Sequence, residues 1–240
     1  ARGGESGVPQ FLMIERAASM SFAGGAMVFP GGAVDEADRA WASSLGVIEP
    51  DDLAARIAAV RETIEETGFV PALKRAAMSA ESAAALRQAL HAGRSLADLA
   101  AELRIGFDFE ALVPFARWCP PAGATPRQYD TRFYIAVAAD HDHVLEADGN
   151  ETASLGWHSA GEVLERARDG REIVIFPSRR NLERLEQFAS VAELLDHARA
   201  QPVSLIMPWV EVRDGVDHLC IPEGMGYPVT SEPLATAMRG

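Results

Sequence analysis

Apolar residues recur along this chain in two rhythms. Leu53, Ile57, Val60 and Ile64 follow one another at steps of four, three and four, the period of a helix with one buried face. Asp51 and Asp52 stand at its start, where acids suit capping and the helix dipole, and Gly68 at its end can take the left-handed conformation that stops a helix. Elsewhere the rhythm shortens. Residues 9–16 (PQFLMIER) read as a strand, and residues 26–29 (AMVF) as another that runs into a loop at Pro30-Gly31-Gly32. Strands are expected again over 112–118, 132–138 and around 155–157. Helices are expected over 81–91, 96–103, 159–169 and 178–188, the last with Leu182, Leu185 and Phe188 on one side. The polar stretch holding Asp35, Glu36 and Asp38 carries no such rhythm.

The Ala-, Leu- and Arg-rich segment at about 72–106 is too short to bury a core of its own. It is therefore predicted as a helical insertion in a single domain spanning 1–240, with a C-terminal extension over about 200–240 where short apolar runs are broken by Pro and Gly. Composition narrows the class further. With 48% apolar and 24% charged residues the chain reads as a soluble globular protein. The longest apolar stretch, at 133–139, is too short to cross a bilayer, and the first residues show no secretory pattern, so a cytoplasmic protein without a membrane partner is expected. A net charge of −13 disfavours binding to nucleic acid, while a small anionic substrate stays open because a divalent metal can reverse the sign locally. Cys119 and Cys220 are too far apart in sequence for a zinc pair and are read as buried, reduced thiols.

The chemistry concentrates in Arg61-Glu62-Thr63-Ile64-Glu65-Glu66-Thr67-Gly68. On a helix Glu62, Glu65 and Glu66 share one face, and like charges at these spacings cost roughly 0.2–0.5 kcal/mol per pair. A hard cation with oxygen ligands, Mg²⁺ or Mn²⁺, would remove that cost; the alternative is a solvated glutamate-rich face. Trp118 and Tyr134 are read as core residues or as base-stacking surfaces, and His141-Asp142-His143 as a surface loop. No Gly-x-Ser-x-Gly nucleophile elbow is present.

Gly32 together with Arg61, Glu62, Glu65, Glu66, Gly68 and Phe69 resembles the Nudix signature in order and spacing. Asp38 stands where that signature has Glu, Thr63 replaces an aliphatic residue, and twenty-two residues separate Asp38 from Arg61, fifteen more than usual. The long box, with Phe29-Pro30-Gly31-Gly32, Trp118, Pro120, Tyr129 to Tyr134, Glu151, Trp157 and Phe176-Pro177-Ser178, is similar to the branch that includes the peroxisomal coenzyme A diphosphatase and its bacterial relatives. The resemblance implies an α/β fold, a Nudix-type α/β/α sandwich with a mixed sheet, and one more strand before Phe11 that the sequence pattern does not reveal; either the N-terminus is trimmed or another segment supplies that edge. It implies hydrolysis of a phosphoanhydride bond in a nucleoside diphosphate linked to another moiety, with coenzyme A or acyl-coenzyme A as the leading substrate. ADP-ribose, a dinucleotide or a nucleotide sugar is the alternative, and a nucleotide-sensing module without catalysis a third reading. In that scheme Glu62, Glu65 and Glu66 hold Mg²⁺ or Mn²⁺, Arg61 orients a box carboxylate, and the Gly31-Gly32 turn lets the backbone come close. Glu151 is a further ligand or base, or an exposed loop acid. Arg132, Arg179 and Arg180 meet substrate phosphate or form structural ion pairs. A homodimer is the base-rate expectation.

Overall fold

The computed structural model describes residues 1–20, 23–74, 78–120, 129–138 and 145–237. Along the chain run β1 (Arg2–Gly3), β2 (Pro9–Arg16), β3 (Met27–Val28), α1 (Glu36–Ser44), α2 (Pro50–Thr67), α3 (Ala80–His91) and α4 (Leu96–Leu103). After a single 3₁₀ turn come β4 (Val113–Trp118), β5 (Thr131–Ile135), β6 (Thr152–Ser159), α5 (Ala160–Arg168), α6 (Phe176–Leu185) and α7 (Val191–Ala200). The chain closes with β7 (Leu205–Ile206), β8 (Trp209–Arg213), β9 (Val216–Cys220), β10 (Ser231–Pro233) and α8 (Leu234–Ala237). The motif His141-Asp142-His143 lies outside the described residues.

The long strand β2 pairs antiparallel with β6 along its length, and with β1 and β3 at its two ends. β1 is thus a strand before Phe11 that the sequence did not reveal, because two residues are too few to show a period. β4 pairs antiparallel with β5 and parallel with β7, which makes that sheet mixed. Alternation along β5 shows what covers its faces. Phe133 and Ile135 belong with the apolar cluster of α5, α6 and α7, while Tyr134 packs against the cluster of α1 to α4. Helices on both faces of a mixed sheet make the α/β/α sandwich. The insertion joins the second cluster through Ala83, Leu86, Leu90, Leu96 and Leu99, and the C-terminal segment joins the first through Ile221, Tyr227 and Ala237.

α2 forms as its periodicity requires. Pro50 occupies the first turn, where a missing N–H costs nothing, and Gly68 ends the helix at φ 73° with its N–H on the Ile64 carbonyl. Ile57, Val60 and Ile64 are fully buried, each worth about 1.5–3 kcal/mol of transfer free energy. Asp51 and Asp52 lie within the first turn and do not cap; the N-cap is Glu49, whose side chain makes no capping bond.

The polar stretch before α2 is not a loop. Residues 36–44 form α1, begun by a capping box in which Asp35 and Asp38 accept each other's backbone N–H. Trp41 meets the Phe109 ring edge to face at 5.3 Å and Ala42 is fully buried, so α1 packs on α2. The extra length of the box is therefore largely a helix. α7 was likewise not expected. Both thiols are free, Cys220 buried but Cys119 only half-buried.

Candidate active site

Arg61 organises the carboxylates around it. Its side chain is 10% exposed and meets Asp38 Oδ2, Glu62 Oε1 and Glu65 Oε2, each at 2.9 Å, while Nη2 donates to the Ala33 carbonyl at 2.8 Å. Burial works against its charge, but Asp38, Glu62 and Glu65 hold the guanidinium well above its ordinary value. Asp38 is 2% exposed. Its side chain completes the α1 capping box by accepting the Asp35 N–H and also binds Arg61, so the shorter acid reaches the guanidinium because α1 carries it there.

The third glutamate turns the other way. Glu66, 4% exposed, accepts the Gly31 N–H at 2.8 Å. Burial pushes its carboxyl up to about 8; the Gly31 bond and Arg16 oppose that, while Glu62 and Glu151 add to it. Glu62 and Glu65 are raised too, first by burial and then against the pull of Arg61. These are carboxyls in an environment that disfavours their charge. Gly32 closes the cradle: a Cβ there would overlap the Glu62 carboxylate, so no other residue leaves this side chain its place.

The donors are all hard oxygens, the acids outnumber the cation, and the backbone at Gly32 is stripped to its minimum; such a set fits a divalent ion of the Mg²⁺ or Mn²⁺ type. The side chains rest on protein partners: among the described residues no three His, Cys, Asp or Glu side chains stand gathered at ligating distance. Glu62 and Glu65 are engaged by Arg61, and Glu66 by Gly31.

Of the other expected residues, Glu151 bears on these acids through its charge alone. It is exposed at the mouth of β6, and its carbonyl accepts the Ala17 N–H. Arg132 is elsewhere. It is bound to Asp52 at 3.0 Å, ten residues before Glu62 and so about 15 Å away along α2. A cavity of about 890 Å³, lined by Asp52, Arg56, Arg132 and Tyr134 among others, opens at that far end of the helix and not at the box. Arg179 and Arg180 form ion pairs with Glu232, and Arg180, 1% exposed, also with Glu183. Contact with a substrate would require them to leave those acids. Trp118 is core, its indole N–H on Asn181 at 3.3 Å. Arg16 was missed: it sits at the end of β2, and nothing local in the sequence links it to Glu66, fifty residues on.

A family model described as the NUDT19 Nudix domain matches residues 40–185, which takes in Arg61 to Gly68 but starts beyond Gly32 and Asp38. The chain is 26% identical over 238 residues to acyl-coenzyme A diphosphatase NUDT19 of Gallus gallus, covering 77% of this chain and 63% of that protein's length. It therefore spans less than two thirds of that relative. The Homo sapiens protein of the same name is 24% identical over 265 residues, covering 88% of this chain and 70% of its own length. Among solved structures, the crystal structure of NUDIX hydrolase from Alicyclobacillus acidocaldarius superposes with a TM-score of 0.68 at 25% identity, covering 81% of this chain and 91% of that one. With more than half of its length matched by the family model, the chain belongs to the NUDT19 Nudix domain family.

Proposed function

We propose that this chain hydrolyses the phosphoanhydride bond of a nucleoside diphosphate joined to another moiety, with coenzyme A or acyl-coenzyme A as the substrate. The observation that carries this is three glutamates on one turn of α2, two held by Arg61 and one by the Gly31 N–H, in a chain similar to proteins named acyl-coenzyme A diphosphatase. Glu62, Glu65 and Glu66 would hold the divalent ion, Mg²⁺ or Mn²⁺, which supplies charge neutralisation on the diphosphate and a more acidic attacking water.

The chain's own residues set the geometry. Arg61 fixes the directions of Glu62 and Glu65, Asp38 fixes Arg61, and the Gly31 N–H holds Glu66. Glu151, exposed and with its charge acting on Glu66, would serve as the general base that takes a proton from water. Preorganisation of this kind lets few atoms move as charge develops.

The test is a panel assay with Mg²⁺ and with Mn²⁺ over coenzyme A, acyl-coenzyme A, ADP-ribose, NADH and diadenosine polyphosphates, with Glu65→Gln and Glu66→Gln alongside. Cleavage of the coenzyme A derivatives, lowered about a hundredfold or more in both variants, is the expected result. Cleavage of dinucleotides or ADP-ribose alone would replace the substrate class. Full turnover in both variants would remove the role given to these glutamates.

A further inference from the structure

The last turn of an α-helix leaves four carbonyls without a donor from the helix itself, and each needs another partner if it is to lie away from water. In α2 these belong to Ile64, Glu65, Glu66 and Thr67. The outer two are taken by backbone: Gly68 N–H donates to Ile64 at 2.9 Å, and Glu146 N–H to Thr67 at 3.2 Å. The inner two are taken from the helical insertion. Arg87 Nε donates to the Glu65 carbonyl at 2.8 Å and Arg87 Nη2 to the Glu66 carbonyl at 3.2 Å. His91 Nε2 lies 2.9 Å from the same Glu65 oxygen, which can only accept, so the imidazole donates there.

Both donors stand one turn apart on α3, whose Ala83, Leu86 and Leu90 are buried in the same cluster as Ile57, Val60 and Ile64. That packing fixes how the guanidinium meets the end of α2: its planar fork lies against two consecutive carbonyls, an arrangement a lysine cannot reproduce. Among the described residues Arg87 forms no ion pair, and its charge faces the negative end of the α2 dipole. The two carbonyls are those of the residues whose side chains are proposed to hold the cation.

We propose that Arg87, supported by His91, is a positioning residue for the divalent-cation site: it clamps the backbone of Glu65 and Glu66 from the insertion, and thereby sets where their carboxylates can reach. This rests on the reading of Glu62, Glu65 and Glu66 as the cation's holders. The insertion thus serves the site through its backbone, and removing the clamp leaves the acids in place but loosens the turn that carries them.

The experiment measures Mn²⁺ binding by electron paramagnetic resonance, together with kcat and KM, in the full chain and in Arg87→Lys, Arg87→Met and His91→Gln. Arg94→Ala, on the same insertion but paired with Glu102, is the control. Arg87→Met is expected to weaken Mn²⁺ binding and lower kcat by about tenfold or more with KM within twofold, as supporting partners of ligands commonly do. Arg87→Lys should fall between, since one ammonium reaches one carbonyl at a time. Arg94→Ala should match the parent chain, and His91→Gln, which keeps a donor, should lose less than Arg87→Lys. Parent-like Mn²⁺ affinity in Arg87→Met overturns the proposal; if that variant does not fold, parent-like affinity in Arg87→Lys does so. No Mn²⁺ binding by the parent chain defeats the reading of the glutamates first, and this inference with it.

Discussion

At the start of α2, Asp52 is met by Arg56 at 2.7 Å, by Arg132 at 3.0 Å and by the Tyr134 hydroxyl at 2.8 Å. About three turns further on, Glu62, Glu65 and Glu66 have among them one arginine and one backbone N–H. Burial works to raise the carboxyl at both ends. At Asp52 its three partners outweigh that pressure and hold the group below its ordinary range; at Glu66 they do not, and it rises to about 8. One helix therefore carries an acid held charged by partners that tie it to β5, and a set of acids whose charge burial disfavours and which are proposed to hold a cation. The position of the acids, more than the presence of a cavity, marks the site, since the 890 Å³ opening lies beside the satisfied end.

The contrast can be broken most forcefully at Gly32. Gly32→Ala puts a methyl group where the Glu62 carboxylate lies, and turnover is expected to fall by about a hundredfold or more while the melting temperature changes little, checked by steady-state kinetics and calorimetry. At the other end the effects should exchange. Asp52→Asn leaves Arg56, 9% exposed, and Arg132 short of an anion, so a stability loss of about 2 kcal/mol in urea titration is expected with kcat within twofold.

A third expectation concerns pH. In the metal-free fold Glu66 takes up its proton near pH 8, against an ordinary value of 4.5. Below pH 4.5 both folded and unfolded chains carry that proton; between 4.5 and 8 only the fold does, so stability falls as pH rises through this window. Glu66→Gln should flatten the fall, raising stability at pH 8 by roughly a few kcal/mol and hardly at all at pH 4.5. Mg²⁺ should flatten it in the parent chain as well. Glu183, pushed up to about 7 chiefly by burial in the cluster of Arg180 and Glu232, adds a slope that Mg²⁺ leaves alone, which separates the two sources in urea titrations with and without the ion. The smallest effect is assigned to Arg132→Ala: KM within twofold and a loss of about 1 kcal/mol, because Asp52 and Asp130 already engage it. A tenfold rise in KM would instead extend the site to the far end of the helix.

Much of this was legible in the sequence where one element carried the whole signal. α2 announced itself by the spacing of Leu53, Ile57, Val60 and Ile64, and the carboxylates by their own spacing on it. α1 stayed hidden because its buried residues are only Asp38 and Ala42, too thin a stripe to register, although Asp35 and Asp38 spell a capping pair. α7 buries only Leu194 and Ala198, equally little. The pairing of Glu66 with Gly31, the approach of Arg16 and Glu151, and the clamp from Arg87 join residues twenty-one or more apart, and only packing brings them together. Arg179 and Arg180 sit at the start of a helix, a place that suits anions, yet the anions that meet them are Glu232 and Glu183.

The difference between the two ends of α2 is measured most directly by carbon-detected NMR titration of the Glu66 and Asp52 carboxyls, with and without Mg²⁺. Glu66 should titrate near pH 8 without the ion and drop by more than one unit with it, while Asp52 stays below its ordinary value in both. A Glu66 that titrates as an ordinary carboxylate and ignores Mg²⁺ would contradict a cation site at this end of the helix.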